Sequence, residues 1–174
     1  KFASMLNTVR AGSTAGRATV SQVADGPSGF ANCLKFDCTT ADASIAAGEY
    51  FFLTNIFEGQ DLQQLKKGTS DAESVTISFY VKGDQAATYT LEMKDQDNGR
   101  INTQTFAVTT SWNKISLTFI PDTTGAYDDD NLASLQVNWH LHAGSTYTGG
   151  TFASNTWASE VQANRVSSSA TSFL

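Results

Sequence analysis

Gln136, Asn138, His140 and His142 stand at every second position. An extended chain would set these two amides and two imidazoles in a row on one side. Amides and neutral imidazoles each offer a donor and an acceptor, the pairing that sugar hydroxyls demand. Such a row can act as a sugar platform, with aromatic rings stacking on the pyranose faces. Tyr80 and Tyr89 stand on nearby candidate strands, although Tyr89 falls on the inward side of its own. The same row reads equally as the solvated outer face of a sheet, or as a face covered by a neighbouring subunit. His140 and His142 are also spaced so that two imidazoles can share a metal, but no third ligand is fixed by spacing.

Asp128, Asp129 and Asp130, with Asp122 nearby, offer hard oxygens suited to a structural calcium. The Asp-x-Asp-x-Asp-Gly spacing of a calcium loop is absent. The competing reading is a solvated turn whose carboxylates bond local backbone N–H groups. No other cofactor is indicated. Of the three tryptophans, Trp139 alternates with apolar neighbours and reads as core, and Trp112 stands where it would plug a core edge. Trp157 lies in a segment rich in Gly, Thr and Ser, so it is expected to be exposed and joins the sugar-binding candidates.

Catalytic signatures are missing. No Gly-x-Ser-x-Gly elbow, His-Glu-x-x-His pair or glycine-rich phosphate loop occurs. A glycosidase needs two carboxylates at a set separation. Of Glu58, Glu73, Glu92 and Glu160, only Glu92 sits mid-strand with a defined face. The chain reads as a non-enzyme.

These residues must be positioned by strands. Apolar–polar alternation runs through 74–82, 86–94, 100–108, 112–120 and 133–142, with further candidates at 18–24, 30–36 and 49–57. Asn98-Gly99 accepts the positive φ of a hairpin turn between two of them. In 49–57 both faces are apolar, as in a central strand. Residues 58–69 break the rhythm; Leu62 and Leu65 put two apolar side chains on one side of a short helical turn near 60–67, with Asp61 to cap it and Gly68 to end it. Residues 1–17 read as an unpatterned arm, and 18–174 as one domain. Residues 157–166 are weakly patterned and read as a short helix or strand, and Ser172–Leu174 begins a last strand. Eight or nine strands with no βαβ alternation indicate an all-β fold: an antiparallel two-sheet β-sandwich, of which the jelly roll is one topology.

Composition agrees. Of 174 residues, 11% are aromatic and only 16% charged, a strand-like balance. A net charge of −6 with no basic run argues against a nucleic-acid partner. No apolar run is long enough to cross a membrane as a helix. Cys33 and Cys38 are five apart, on opposite faces of a strand, and read as buried free thiols rather than a disulfide. The chain begins at Lys1 and stops at Phe173-Leu174, as a piece of a longer polypeptide would.

The stretch EGQDLQQLKKGTSDAESVTISFYVKG, Glu58 to Gly83, resembles a recurrent block of bacteriophage structural proteins: a Glu-Gly, two spaced Leu, a Gly-Thr, then a Leu-Ser-Phe-Trp-Val type of strand. Here the aromatic pair is Phe79-Tyr80. TTSWNKISLTFIPDTTGAYDDDN, Thr109 to Asn131, is similar to the next signature of that family, and the order continues through Leu135–Ala143 to Asn164. The resemblance spans about 120 residues, from Tyr50 to Leu174. The family's usual closing strand of Ile-Thr-Gly-Val-Gln-Leu-Glu type does not follow Phe173. The resemblance implies a virion-surface location, on a tail fibre, head fibre or capsid, and a jelly roll like that of carbohydrate-binding modules. It implies other virion proteins as partners, a homo-oligomer with a trimer favoured, and a cell-surface glycan as a further partner. It brings no catalytic residues. The rival readings are a carbohydrate-binding module of a glycan-degrading enzyme and a ligand-free capsid cement domain.

Overall fold

The computed structural model describes residues 6–12 and 14–174. It is an antiparallel all-β sandwich. The larger layer has six strands: β1 (Leu6–Gly12), β4 (Tyr50–Glu58), β9 (Ala133–Ala143), β6 (Ala87–Asp95), β7 (Arg100–Val108) and the two-residue β10 (Ala158–Ser159), in that order across the sheet. Two ribbons complete the fold, β2 (Arg17–Val23) with β3 (Cys33–Thr40), and β5 (Val75–Val81) with β8 (Asn113–Phe119). No helix among the described residues is long and apolar enough to cross a membrane.

Alternation decides which side chains meet. In the β6–β9 register Leu91 faces Trp139 and Met93 faces Val137, while Glu92 faces Asn138 and Thr90 faces His140. The first set points to the β5–β8 ribbon. There Leu91, Met93, Phe106, Val108, Leu135 and Val137 bury themselves with Phe119, against Val75, Ile77, Phe79, Ile115 and Leu117. Phe79 meets Trp139 and Phe106 edge-on, with centroids 5.8 and 5.1 Å apart, which favours these ring pairs beyond their burial. Trp139 is thus a core residue, as its alternation implied.

Local signals explain the turns. Asp95 Oδ1 accepts the N–H groups of Asp97 and Asn98, and Gly99 takes φ +58°, closing the β6–β7 hairpin. Residues 59–65 form two 3₁₀ turns, Gly59–Asp61 and Gln63–Leu65, pinned by buried Leu62 and half-buried Leu65. Asp61 lies inside the first turn and caps neither. Gly59 passes so close to the Asp128 carbonyl that a Cβ would collide with it.

Three expectations are corrected. Of the supposed arm, residues 1–5 and 13 lie outside the described residues, but Leu6–Gly12 is a strand, paired along its whole length with β4. Its side chains carry little pattern because backbone hydrogen bonds place it. Ser172–Leu174 is not a strand; it runs beside β6 and β9, whose ends part there. Thr171 N–H donates to Thr88 O, and Phe173 N–H to Leu141 O. Residues 157–166, by contrast, hold the kind of short elements expected of them, β10 and a 3₁₀ turn at Gln162–Asn164. Cys33 and Cys38 are free, but half-buried and exposed rather than buried, because the β2–β3 ribbon is a separate two-stranded sheet with no fully buried side chain.

Candidate functional site

The stripe Gln136, Asn138, His140, His142 does share one face of β9, but that face is interior. Asn138, His140 and His142 are buried and Gln136 is half-buried. An open sugar platform on this face is therefore corrected: the segment 145–174 crosses it. Ser167 N–H donates to Thr90 Oγ1, Val166 N–H to Tyr147 O, and the Arg165 guanidinium reaches down to the sheet.

Glu92 is the centre of what lies beneath. Arg165 grips it bidentately, Nε to Oε1 and Nη2 to Oε2, both at 2.7 Å. Asn138 Nδ2 donates to Oε2 at 2.8 Å, and His140 Nε2 stands 3.0 Å from the same oxygen. Burial raises the carboxyl's pKa, but Arg165 and His140 outweigh it and hold Glu92 far below the ordinary carboxylate range. Burial lowers that of Arg165, and Glu92 more than reverses it. Both oxygens of Glu92 are engaged inside the protein, and it does not line the groove described below. The one mid-strand glutamate legible in the sequence is a buried strut.

His142 closes the row at the far end of β9. Its Nδ1 stands 2.7 Å from Ser172 Oγ, whose hydroxyl donates to Leu174 O. Its Nε2 has no hydrogen-bond partner and faces Glu49 Oε2 at 3.5 Å, which has none either. Asp42 completes the group, all three ligand atoms lying within 4.8 Å of one another. The Ser44 N–H and the Thr14 hydroxyl hold the Asp42 carboxyl down at about 2. Spacing pointed to His140 as the companion of His142; instead His140 serves Glu92. Asp42 and Glu49, which carry no motif and precede β4, were missed.

The acidic loop is used locally. Asp130 Oδ1 accepts Leu132 N–H, and the Asp128 N–H is taken by Asp97 Oδ2. Asp128 and Asp129 are exposed and Asp130 half-buried. Their carboxylates join no converging ligand group among the described residues. Asp122 is turned away from them to two cations: Arg100 binds it through Nε and Nη2 at 2.7 and 3.0 Å, and Lys67 Nζ lies 3.2 Å away. Burial raises its pKa, but Arg100, the Thr124 N–H and Lys67 outweigh it, so the net shift is downward. Lys67 also pairs with buried Asp95 at 2.6 Å. Burial, then the charges of Asp95 and Asp122, push the Tyr127 phenol above its ordinary value.

Of the proposed stacking residues, Trp157 is half-buried, donates Nε1–H to Ile120 O and packs against the core, so its expected exposure is corrected. Gly and Thr neighbours made it look exposed; the Ile120 carbonyl and the Lys67 ammonium 5.7 Å from its ring hold it in. Tyr80 is 44% exposed. It forms one wall of a groove of about 350 Å³ between the two ribbons. Phe30, 59% exposed, packs against Tyr80, the two ring centroids 5.8 Å apart. Trp112, Asn32, Ser78 and Lys114 line the remainder. The Trp112 indole N–H has no partner, and Lys82, anchored by Asp25 at 2.6 Å, lies over its ring. Phe30 and Trp112 stand far apart in sequence, and no spacing rule links them.

No protein-family model, curated protein or solved structure matches the chain.

Proposed function

We propose that this chain is a non-enzymatic domain of a bacteriophage virion surface, a jelly roll that attaches to host glycan through the groove between its two ribbons. The observation that carries the reading is the groove itself. Phe30 and Tyr80 expose rings suited to a pyranose face, and Asn32, Ser78 and Lys114 supply polar groups beside them. The virion setting rests on the resemblance of Glu58–Gly83 and Thr109–Asn131 to phage structural blocks. Commitment of Glu92 to an internal ion pair supports a role without turnover. Affinity per groove for a sugar is weak, and copies in a homo-oligomer, a trimer by the same resemblance, would multiply it.

A second reading is assembly alone. Val20 and Leu34 on the β2–β3 ribbon are 43% and 53% exposed, as in a surface that meets another virion protein. A glycan array decides between them. Saturable binding that falls at least tenfold in Tyr80→Ala and Phe30→Ala supports attachment. No binding to any glycan, with this ribbon seated against a neighbour in imaged particles, supports assembly. A carbohydrate-binding module would share the groove but be encoded beside a catalytic domain.

A further inference from the structure

Beyond the groove, the end of the sheet holds a second candidate site. We propose that Asp42, Glu49 and His142 bind one divalent transition-metal ion of the zinc class, which ties the 41–49 loop and the Ser172–Leu174 segment to the end of β9.

A serine hydroxyl has one proton, and Ser172 gives it to Leu174 O. Ser172 Oγ therefore accepts from His142, which places a proton on Nδ1. In the neutral ring the lone pair is then on Nε2, the nitrogen that faces Glu49. A lone pair directed at a carboxylate oxygen, both buried and without a hydrogen bond, is an unfavourable arrangement unless positive charge stands between them. Nδ1 donating to an oxygen while Nε2 points to the centre is also how metal-bound histidines are oriented.

Distances favour a metal over a shared proton. At 3.5 Å, Nε2 and Oε2 are too far apart for a good N–H···O bond. Two ligand atoms each about 2.1 Å from a tetrahedral zinc lie about 3.4 Å apart. Asp42 supplies the third ligand from the loop, within the 4.8 Å limit. The donor set selects the ion. Calcium and magnesium prefer all-oxygen shells, whereas an imidazole with carboxylates suits zinc and its neighbours. Three protein ligands leave one position for water. The site's position assigns it a structural role: Glu49 O accepts Gly144 N–H, Ala47 O accepts Thr146 N–H, and Asp42 holds Thr14 and Ala15.

The test is titration of chelator-treated protein with Zn²⁺ by calorimetry, and with Co²⁺ followed by its visible absorption. One equivalent is expected, with a cobalt spectrum of low coordination number. Zinc at a hundredfold excess over its Kd should raise the melting midpoint by about 5–10 °C. Glu49→Gln and Asp42→Asn should remove the stoichiometric event, and Ser172→Ala should weaken it by about 10- to 100-fold through loss of the orienting bond. Asp42→Asn, at a half-buried position in an otherwise exposed loop, keeps the comparison usable if Glu49→Gln does not fold. The proposal is overturned if wild-type protein binds no equivalent of zinc, or if binding persists in Asp42→Asn and so lies elsewhere. A nitrogen-15 spectrum with a proton on His142 Nε2 at saturating zinc also overturns it. None of these readouts involves glycan binding, so failure here leaves the groove reading untouched.

Discussion

The six-stranded sheet carries two different interiors. One face holds Leu91, Met93, Leu135 and Val137 against the β5–β8 ribbon, where stability comes from area removed from water. The other holds Glu92, Asn138, His140 and Thr90 beneath a covering segment that has little regular structure. There the contacts are directional, and Arg165 alone supplies two of the bonds to Glu92. An apolar layer tolerates a lost methylene by partial collapse. A buried charge deprived of its partner cannot relax in that way. The polar face should therefore be the more brittle of the two, although it looks more like a functional site.

Substitutions can break that comparison. The largest loss is expected for Arg165→Ala, about 3–5 kcal/mol, because Glu92 is left buried and uncompensated; denaturant melts measure it. Replacing both partners, Glu92→Leu with Arg165→Met, should recover most of that loss. If the double variant is as unstable as Arg165→Ala, the brittleness lies elsewhere. On the apolar face Leu91→Ala should cost about 2–4 kcal/mol, and no second substitution nearby should restore it except one that refills the volume.

Acid sharpens the contrast. The Glu92 and Asp122 carboxyls are held below their ordinary values of 4.5 and 3.8. A carboxyl lowered on folding stabilises the native state above its unfolded pKa, and the contribution fades as pH falls through the folded one. The melting midpoint should accordingly hold above about pH 5 and drop as pH falls below about 4.5. The Glu92→Leu/Arg165→Met variant should lose less over the same interval. An identical acid profile for the two proteins would remove Glu92 from the account. The smallest effect is expected outside both faces. Tyr80→Ala in the groove should change stability by less than about 0.5 kcal/mol while reducing glycan binding, which separates recognition from folding.

Much of the sandwich was legible because alternation is a local property. Residues 75–81, 87–95, 100–108, 113–119 and 133–143 form strands close to where their side chains alternate, and Asn98-Gly99 marks a real hairpin. Strands without alternation were not legible: Leu6–Gly12 is held by pairing with β4, an interaction with residues some forty positions away. The stripe on β9 was read correctly as one face, and its surroundings were not. Nothing in Gln136–His142 says that Arg165 and Ser167 will fold across it. The site residues divide in the same way. Tyr80 was visible from its outward position, but its companions Phe30 and Trp112, and the Asp42–Glu49 pair near His142, come from other strands and loops.

By itself the sequence determined the strands, their inward and outward sets, the tight turns and the lack of familiar catalytic motifs, since each depends on residues within a few positions of one another. Only the tertiary structure decided which of the two sheet faces is covered, which carboxylate each histidine meets and where a groove opens. Those outcomes depend on which distant segments pack together, and the long-range contacts that set solvent exposure leave no periodic trace along the chain.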